Sequence, residues 1–138
     1  MKKIVTIIRG VSGSGKSTFG EALKALNPHN TQICCADDYF TDDEGNYNFE
    51  VTKLHIAHKI CFNDFKSFVA NDTPHIIVNN TSTKENEFKK YKEFAETDGY
   101  KVFVVVMENW HGGANIHDVP EIVLEKQEVN IKNSLKIR

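Results

Sequence analysis

Residues 10–17 run Gly-Val-Ser-Gly-Ser-Gly-Lys-Ser, a glycine followed after four residues by Gly-Lys-Ser. That spacing suits a phosphate cradle, because glycines let successive backbone N–H groups turn toward one phosphate. The amino end of a following helix adds partial positive charge to the same place. On this reading Gly10, Ser12, Gly13, Ser14, Gly15, Lys16, Ser17 and Thr18 bind a nucleoside triphosphate, ATP or GTP. Lys16 reaches the β- and γ-phosphate oxygens and Ser17 ligates Mg²⁺. A glycine-rich turn with a chance lysine is the bland alternative. The flanking sequence argues against it, since a β-branched run precedes the motif and a helical pattern follows.

A phosphate donor needs an acceptor, and a hydroxyl acceptor needs a carboxylate to take its proton. Asp37 and Asp38 stand where such a group is wanted, at the end of a second short strand. Paired aspartates also cap turns, so the residues alone leave both roles open. Two metal readings fare worse. An EF-hand with Gly45 sixth would place Phe40 first and Val51 twelfth, neither a calcium ligand. His55, His58 and Cys61 recur every three residues on one helix, but Cys61 belongs to its apolar stripe and a fourth zinc ligand is missing.

The elements that must position these groups are readable from hydrophobic periodicity. Residues 4–8 form a buried strand, and 16–26 a helix with Phe19, Ala22, Leu23 and Leu26 inward, ended by Asn27-Pro28. Residues 32–36 form a second strand and 37–48 an acidic loop turning at Gly45. A helix over about 50–70 has Leu54, Ala57, Cys61, Phe65 and Phe68 as its stripe. Residues 75–78 are a third strand, 84–97 a helix with Phe88, Tyr91, Phe94 and Ala95 inward, and 102–107 a fourth strand. Residues 108–118 make a loop or lid around Gly112-Gly113, and Pro120 opens a last helix to about Ile131. The expected fold is therefore α/β, a three-layer sandwich with a parallel sheet of about four strands flanked by helices. Ligands of such sheets bind beyond the carboxyl ends of the strands.

With 138 residues, the chain is expected to be one domain over 1–138. Hydrophobic residues at 40% and charged ones at 26% exclude the disordered and collagenous classes. The formal charge of −2 offers no global field for nucleic acid, and Arg9 and Arg138 are the sole arginines. Three cysteines without C-x-x-C spacing read as reduced thiols, and the apolar run 4–8 is too short for a signal or a span. The expectation is a cytoplasmic protein with no membrane contact; the oligomeric state is open.

Beyond the cradle, Ala36-Asp37-Asp38-Tyr39-Phe40, Gly45-Asn46-Tyr47-Asn48-Phe49, Ala57-His58, Ile76-Ile77-Val78-Asn79-Asn80-Thr81-Ser82 and Asn115-Ile116-His117-Asp118-Val119-Pro120 follow in order. This series resembles the P-loop polynucleotide 5′-hydroxyl kinases of phages and their eukaryotic relatives. The resemblance implies a kinase acting on a 5′-hydroxyl nucleic acid end, with Lys16 catalytic and Asp37, first of the pair, as general base. It implies an acceptor groove with Asp38, His58, Asn80 and Thr81, and a lid with Asn115 and His117, to which His111 is added as the other side chain of that loop able to become cationic.

Departures from the family pattern mostly remove charge, though Asp118 stands where glycine is usual. Asn79 and Asn80 stand where the family carries an aspartate, Ala114 where a lid arginine belongs, and Phe40 where phage enzymes place an acceptor-gripping arginine. Two readings follow: a kinase for a hydroxyl acceptor, or a nucleotide-binding regulatory module that transfers weakly or not at all.

Overall fold

The structure is a computed structural model and describes residues 2–11, 15–82, 85–108, 126, 127 and 129–131. Four strands, β1 (Ile4–Gly10), β2 (Thr31–Cys34), β3 (His75–Asn79) and β4 (Lys101–Met107), pair in parallel in the order β2-β3-β1-β4. Ile4 pairs with His75 and Lys101, and Ile8 with Asn79 and Val105, so β1 and β3 finish side by side. Cys34 pairs with Val78, which brings the end of β2 to the same edge.

Three helices, α1 (Lys16–Leu26), α2 (Leu54–Ala70) and α3 (Glu85–Thr97), cover this sheet. Alternation along the strands sorts the core into two faces. Val5, Ile7, Ile76 and Val78 pack with Ala57, Cys61, Phe65 and Val69 of α2 and Phe88, Tyr91 and Ala95 of α3. Ile8 and Ile77 face Gly20 of α1 on the other side. The result is the expected three-layer α/β sandwich. Lys126, Gln127 and residues 129–131 are helical, inside the expected last helix, with Ile131 buried.

Several local expectations need correction. The inward face of α1 centres on Gly20, whose missing side chain lets the backbone approach Ile8 and Ile77. Ala22 lies about 200° around the helix from Gly20 and is exposed, as is Leu26 at 83%. β2 starts and stops earlier than expected, because the Ala36 N–H bonds the Asn80 side chain instead of a strand. The helix expected from about residue 50 begins at Leu54, after a 3₁₀ turn at Val51–Lys53 whose β-branched Val51 and Thr52 are poor helix starters. Val69 is buried on α2, whereas Phe68 is only partly covered; Phe94 of α3 stays 38% exposed. The sheet is not covered evenly either, since β4 is an edge strand with Phe103 and Val104 exposed.

Candidate active site

The cradle is braced at both ends. Gly10 closes β1, and its N–H donates to the Thr81 carbonyl at 3.1 Å, tying the loop after β1 to the loop after β3. Gly15 caps α1 in the left-handed region at φ 94°, where a side chain would be strained. Its carbonyl accepts the Phe19 N–H at 3.0 Å as the helix begins. Lys16 is half-buried, with Nζ donating to the Val11 carbonyl at 3.1 Å. Burial lowers its pKa, and the Asp37 carboxylate opposes that shift. Ser17 and Thr18 are exposed on the first turn of α1. Ser12, Gly13 and Ser14 lie outside the described residues.

Asn79, buried at the end of β3, donates from Nδ2 to Ser17 Oγ at 3.4 Å. Its Oδ1 is buried and has no partner among the described residues. Ser17 Oγ and Asn79 Oδ1 are hard oxygen donors of the kind Mg²⁺ prefers.

The acidic segment is more ordered than a loop. Ala36–Phe40 forms a 3₁₀ turn that carries Asp37 and Asp38. Asn80 holds its start: Oδ1 accepts the Ala36 N–H at 2.8 Å and Nδ2 donates to Cys61 Sγ at 3.5 Å. The chain then doubles back in a small hairpin, with Thr41 bridging Tyr47 and the Asn48 N–H on the Phe40 carbonyl at 2.8 Å. Asp42 closes its turn by accepting the N–H groups of Glu44 and Asn46 at 2.9 and 2.8 Å. These bonds, that of Asn46 foremost, lower the Asp42 pKa. The hairpin brings the Tyr47 hydroxyl to Asp37 Oδ1 at 3.3 Å. Burial raises the Asp38 pKa, and the neighbouring Asp37 charge adds to it.

Beyond Asp37 opens a cavity of about 500 Å³ whose walls include Tyr47, Phe49, His58, Asn80, Thr81 and Lys90. Burial lowers the His58 pKa, and the Lys90 charge lowers it further, so the imidazole is neutral at pH 7. The structure thus places Asp37, His58, Asn80 and Thr81 around one space; Asp38 is on the same turn but does not line it. Asn80 is 6% exposed, its amide engaged by Ala36 and Cys61. His111, Asn115 and His117 lie outside the described residues, as do Ala114 and Asp118. Among the described residues no three His, Cys, Asp or Glu side chains form a metal cluster. His55 is exposed.

Arg9 is 3% exposed and turned inward, with Nε donating to the Ser82 carbonyl at 2.7 Å and its guanidinium 4.5 Å from the Phe88 ring centre. Burial lowers its pKa while Glu87 and Glu85 oppose the shift. All three cysteines are free. Burial pushes their thiols up, that of Cys35 to about 12 with the help of Asp37 and Asp38, so none is a thiolate at neutral pH.

Tyr47 and Phe49, which belong to the resembling series but have no role assigned there, line the cavity together with Asn86, Glu87, Lys90 and Gln127. Two signals existed. Tyr47 and Phe49 alternate with asparagines after a turn glycine, and Asn86 and Lys90 lie four apart on the polar side of a helix.

A glycine-rich cradle between a central parallel strand and a helix, with an acidic turn on the next strand, defines a kinase-like nucleotide-binding fold. The family model described as "AAA domain" matches residues 5–109, and the chain belongs to that family. It is 33% identical over 107 residues to NEDD4-binding protein 2 of Homo sapiens, covering 78% of this chain but 6% of the human protein. Among solved structures, a chain of the Pnkp1/Rnl/Hen1 RNA repair complex aligns with TM-score 0.71 at 17% identity, over 96% of this chain and 45% of that one. The APS kinase CysC of Mycobacterium tuberculosis in complex with AMPPNP and APS aligns with TM-score 0.55 at 14% identity, over 92% and 69%. A gluconokinase of Sinorhizobium meliloti 1021 aligns with TM-score 0.56 at 17% identity, over 93% and 74%. The expected P-loop kinase resemblance is thus borne out, in family by the AAA-domain match and in fold by these structures. No helix among the described residues is long and apolar enough to cross a membrane.

Proposed function

We propose that the chain is an ATP- or GTP-dependent kinase that transfers the γ-phosphate to a hydroxyl acceptor, the 5′-hydroxyl of a polynucleotide or nucleotide. One observation carries the reading: Asp37 belongs to both halves of the site, acting electrostatically on Lys16 and lining the cavity beside the cradle. The acceptor hydroxyl gives its proton to Asp37 as its oxygen bonds the γ-phosphorus, and the bond to the departing nucleoside diphosphate breaks. Lys16 and the cradle N–H groups hold the phosphates. Ser17, beside Asn79, would hold Mg²⁺, with Asp37 or Asp38 contributing through water, and the ion would supply charge neutralisation when bound. The 108–118 segment, through His111, Asn115 and His117, is the proposed lid.

Transfer of labelled phosphate to a 5′-hydroxyl oligonucleotide and to a panel of nucleosides tests this. Lys16→Ala should lose most donor affinity by calorimetry with a non-hydrolysable triphosphate. Asp37→Asn should abolish transfer while changing donor affinity only a few-fold, and Asp38→Asn should do less harm. Retained transfer in Asp37→Asn overturns the reading. A second reading, a nucleotide-binding regulatory module, is favoured by the inward turn of Arg9, the sole arginine among the described residues. Donor binding without transfer to any acceptor would establish it instead.

A further inference from the structure

Phe49 combines exposure with a place in the cavity wall. Phe40 is 6% exposed and belongs to the core, whereas Phe49 is 47% exposed and lines the cavity that contains Asp37. It is nonetheless fixed, by Phe40 at 5.1 Å between ring centres and by Tyr47 at 6.5 Å with the rings only 12° apart. Tyr47 is itself anchored on Asp37. Two nearly parallel, stacked rings therefore form a rigid ledge on the wall of the space that also holds the carboxylate. A large apolar surface kept exposed at such a place calls for a ligand to cover it.

The described lining offers little positive charge with which to grip an anionic ligand. Lys90 is the single permanent cation among its described lining residues, Asp37 and Glu87 face it with negative charge, and His58 is neutral at pH 7. The same cavity wall carries the side chains of Asn86, Gln127 and Glu87, groups of a type that suits the polar edge of a planar ring.

We propose that the Phe49–Tyr47 ledge is a stacking subsite for a planar heterocycle of the acceptor, a nucleobase, and that Phe49 sets acceptor selectivity. The inference rests on the kinase reading for the direction in which the acceptor hydroxyl points, but the subsite itself can be tested by binding alone. Base stacking on an aromatic side chain is sequence-tolerant and, by the usual effect of alanine substitution, corresponds to roughly a five- to hundred-fold change in affinity.

The test uses thymidine and ribitol as probes, with the donor site saturated by a non-hydrolysable ATP analogue. Binding is followed by ring-current shifts of the base protons in NMR spectra of the full chain and its Phe49→Ala and Phe49→Trp variants. Thymidine should bind the wild type with upfield-shifted base protons, about tenfold or more weakly to Phe49→Ala, and with near wild-type affinity to Phe49→Trp. Ribitol should not bind measurably. Unchanged donor affinity and thermal midpoint in Phe49→Ala exclude misfolding as the cause. Equal thymidine affinity in Phe49→Ala, no thymidine binding at all, or preference for ribitol overturns the subsite. Thymidine stacking without phosphate transfer to any acceptor overturns the kinase reading and leaves the subsite standing. Transfer to a polyol that ignores Phe49 does the reverse.

Discussion

The Tyr47 hydroxyl donates to Asp37 Oδ1 at 3.3 Å, across ten residues of chain, because the hairpin between them folds back on itself. Burial first, and then the Asp37 charge, raise the Tyr47 pKa, so the phenol stays protonated and remains a donor under any ordinary assay condition. One oxygen of Asp37 is thereby oriented and the other left for a substrate proton.

Tyr47→Phe should lower kcat for the proposed transfer about fivefold and leave the donor KM unchanged. The magnitude is that of one long hydrogen bond to a carboxylate, about 1 kcal/mol. Steady-state kinetics with labelled donor reads the split between kcat and KM. An unchanged kcat would show that Asp37 needs no such support.

Arg9 predicts a stability effect without any phosphate contact. Arg9→Met removes the donor to the Ser82 carbonyl and the charge over Phe88, and should destabilise the fold by about 1–3 kcal/mol in denaturant titration. Arg9→Lys should recover only part, since an ammonium lacks the planar face and the Nε geometry. If Arg9→Met kept its stability but lost donor binding, Arg9 would be a phosphate ligand after all.

How far the site was legible depended on whether its geometry was local. The cradle was readable because eight consecutive residues specify it, and Asp37 because it stands on the turn just past β2. The inward face of α1 was misread, since periodicity weighs apolar side chains and gives no weight to the bare backbone of Gly20 that actually meets the sheet. Tyr47 and Phe49 went unassigned because their placement depends on the hairpin register, which Asp42 sets by bonding two backbone N–H groups. Asn80 reads as a polar residue after a strand. Nothing nearby in sequence shows that its amide reaches Ala36 and Cys61.

Acidification should destabilise the protein before its carboxylates titrate. His58 and His75 both have pKa values lowered by burial, His58 also by Lys90, so the unfolded chain binds more protons than the folded one as pH falls. Their contribution is fully present above the ordinary histidine value of 6.5 and is lost as pH drops through the lower folded values. The thermal midpoint should therefore fall between pH 7 and pH 5, and less steeply in His58→Gln and His75→Gln. Scanning calorimetry across that range measures it, and a flat midpoint in the wild type would refute the assignment.

The strand order carries a consequence for how the chain reaches its native state. β1 is an inner strand, and its two neighbours come from residues 75–79 and 101–107, so it has no partner until those later segments exist. Such long-range pairing is slow, because loop closure must precede any reward from hydrogen bonding. Until then the apolar run Ile4-Val5-Thr6-Ile7-Ile8 is an open edge that any other strand can pair with. The nucleotide cradle is tethered to that strand at Gly10, so it comes together late in folding, once β3 and the Thr81 carbonyl are in place.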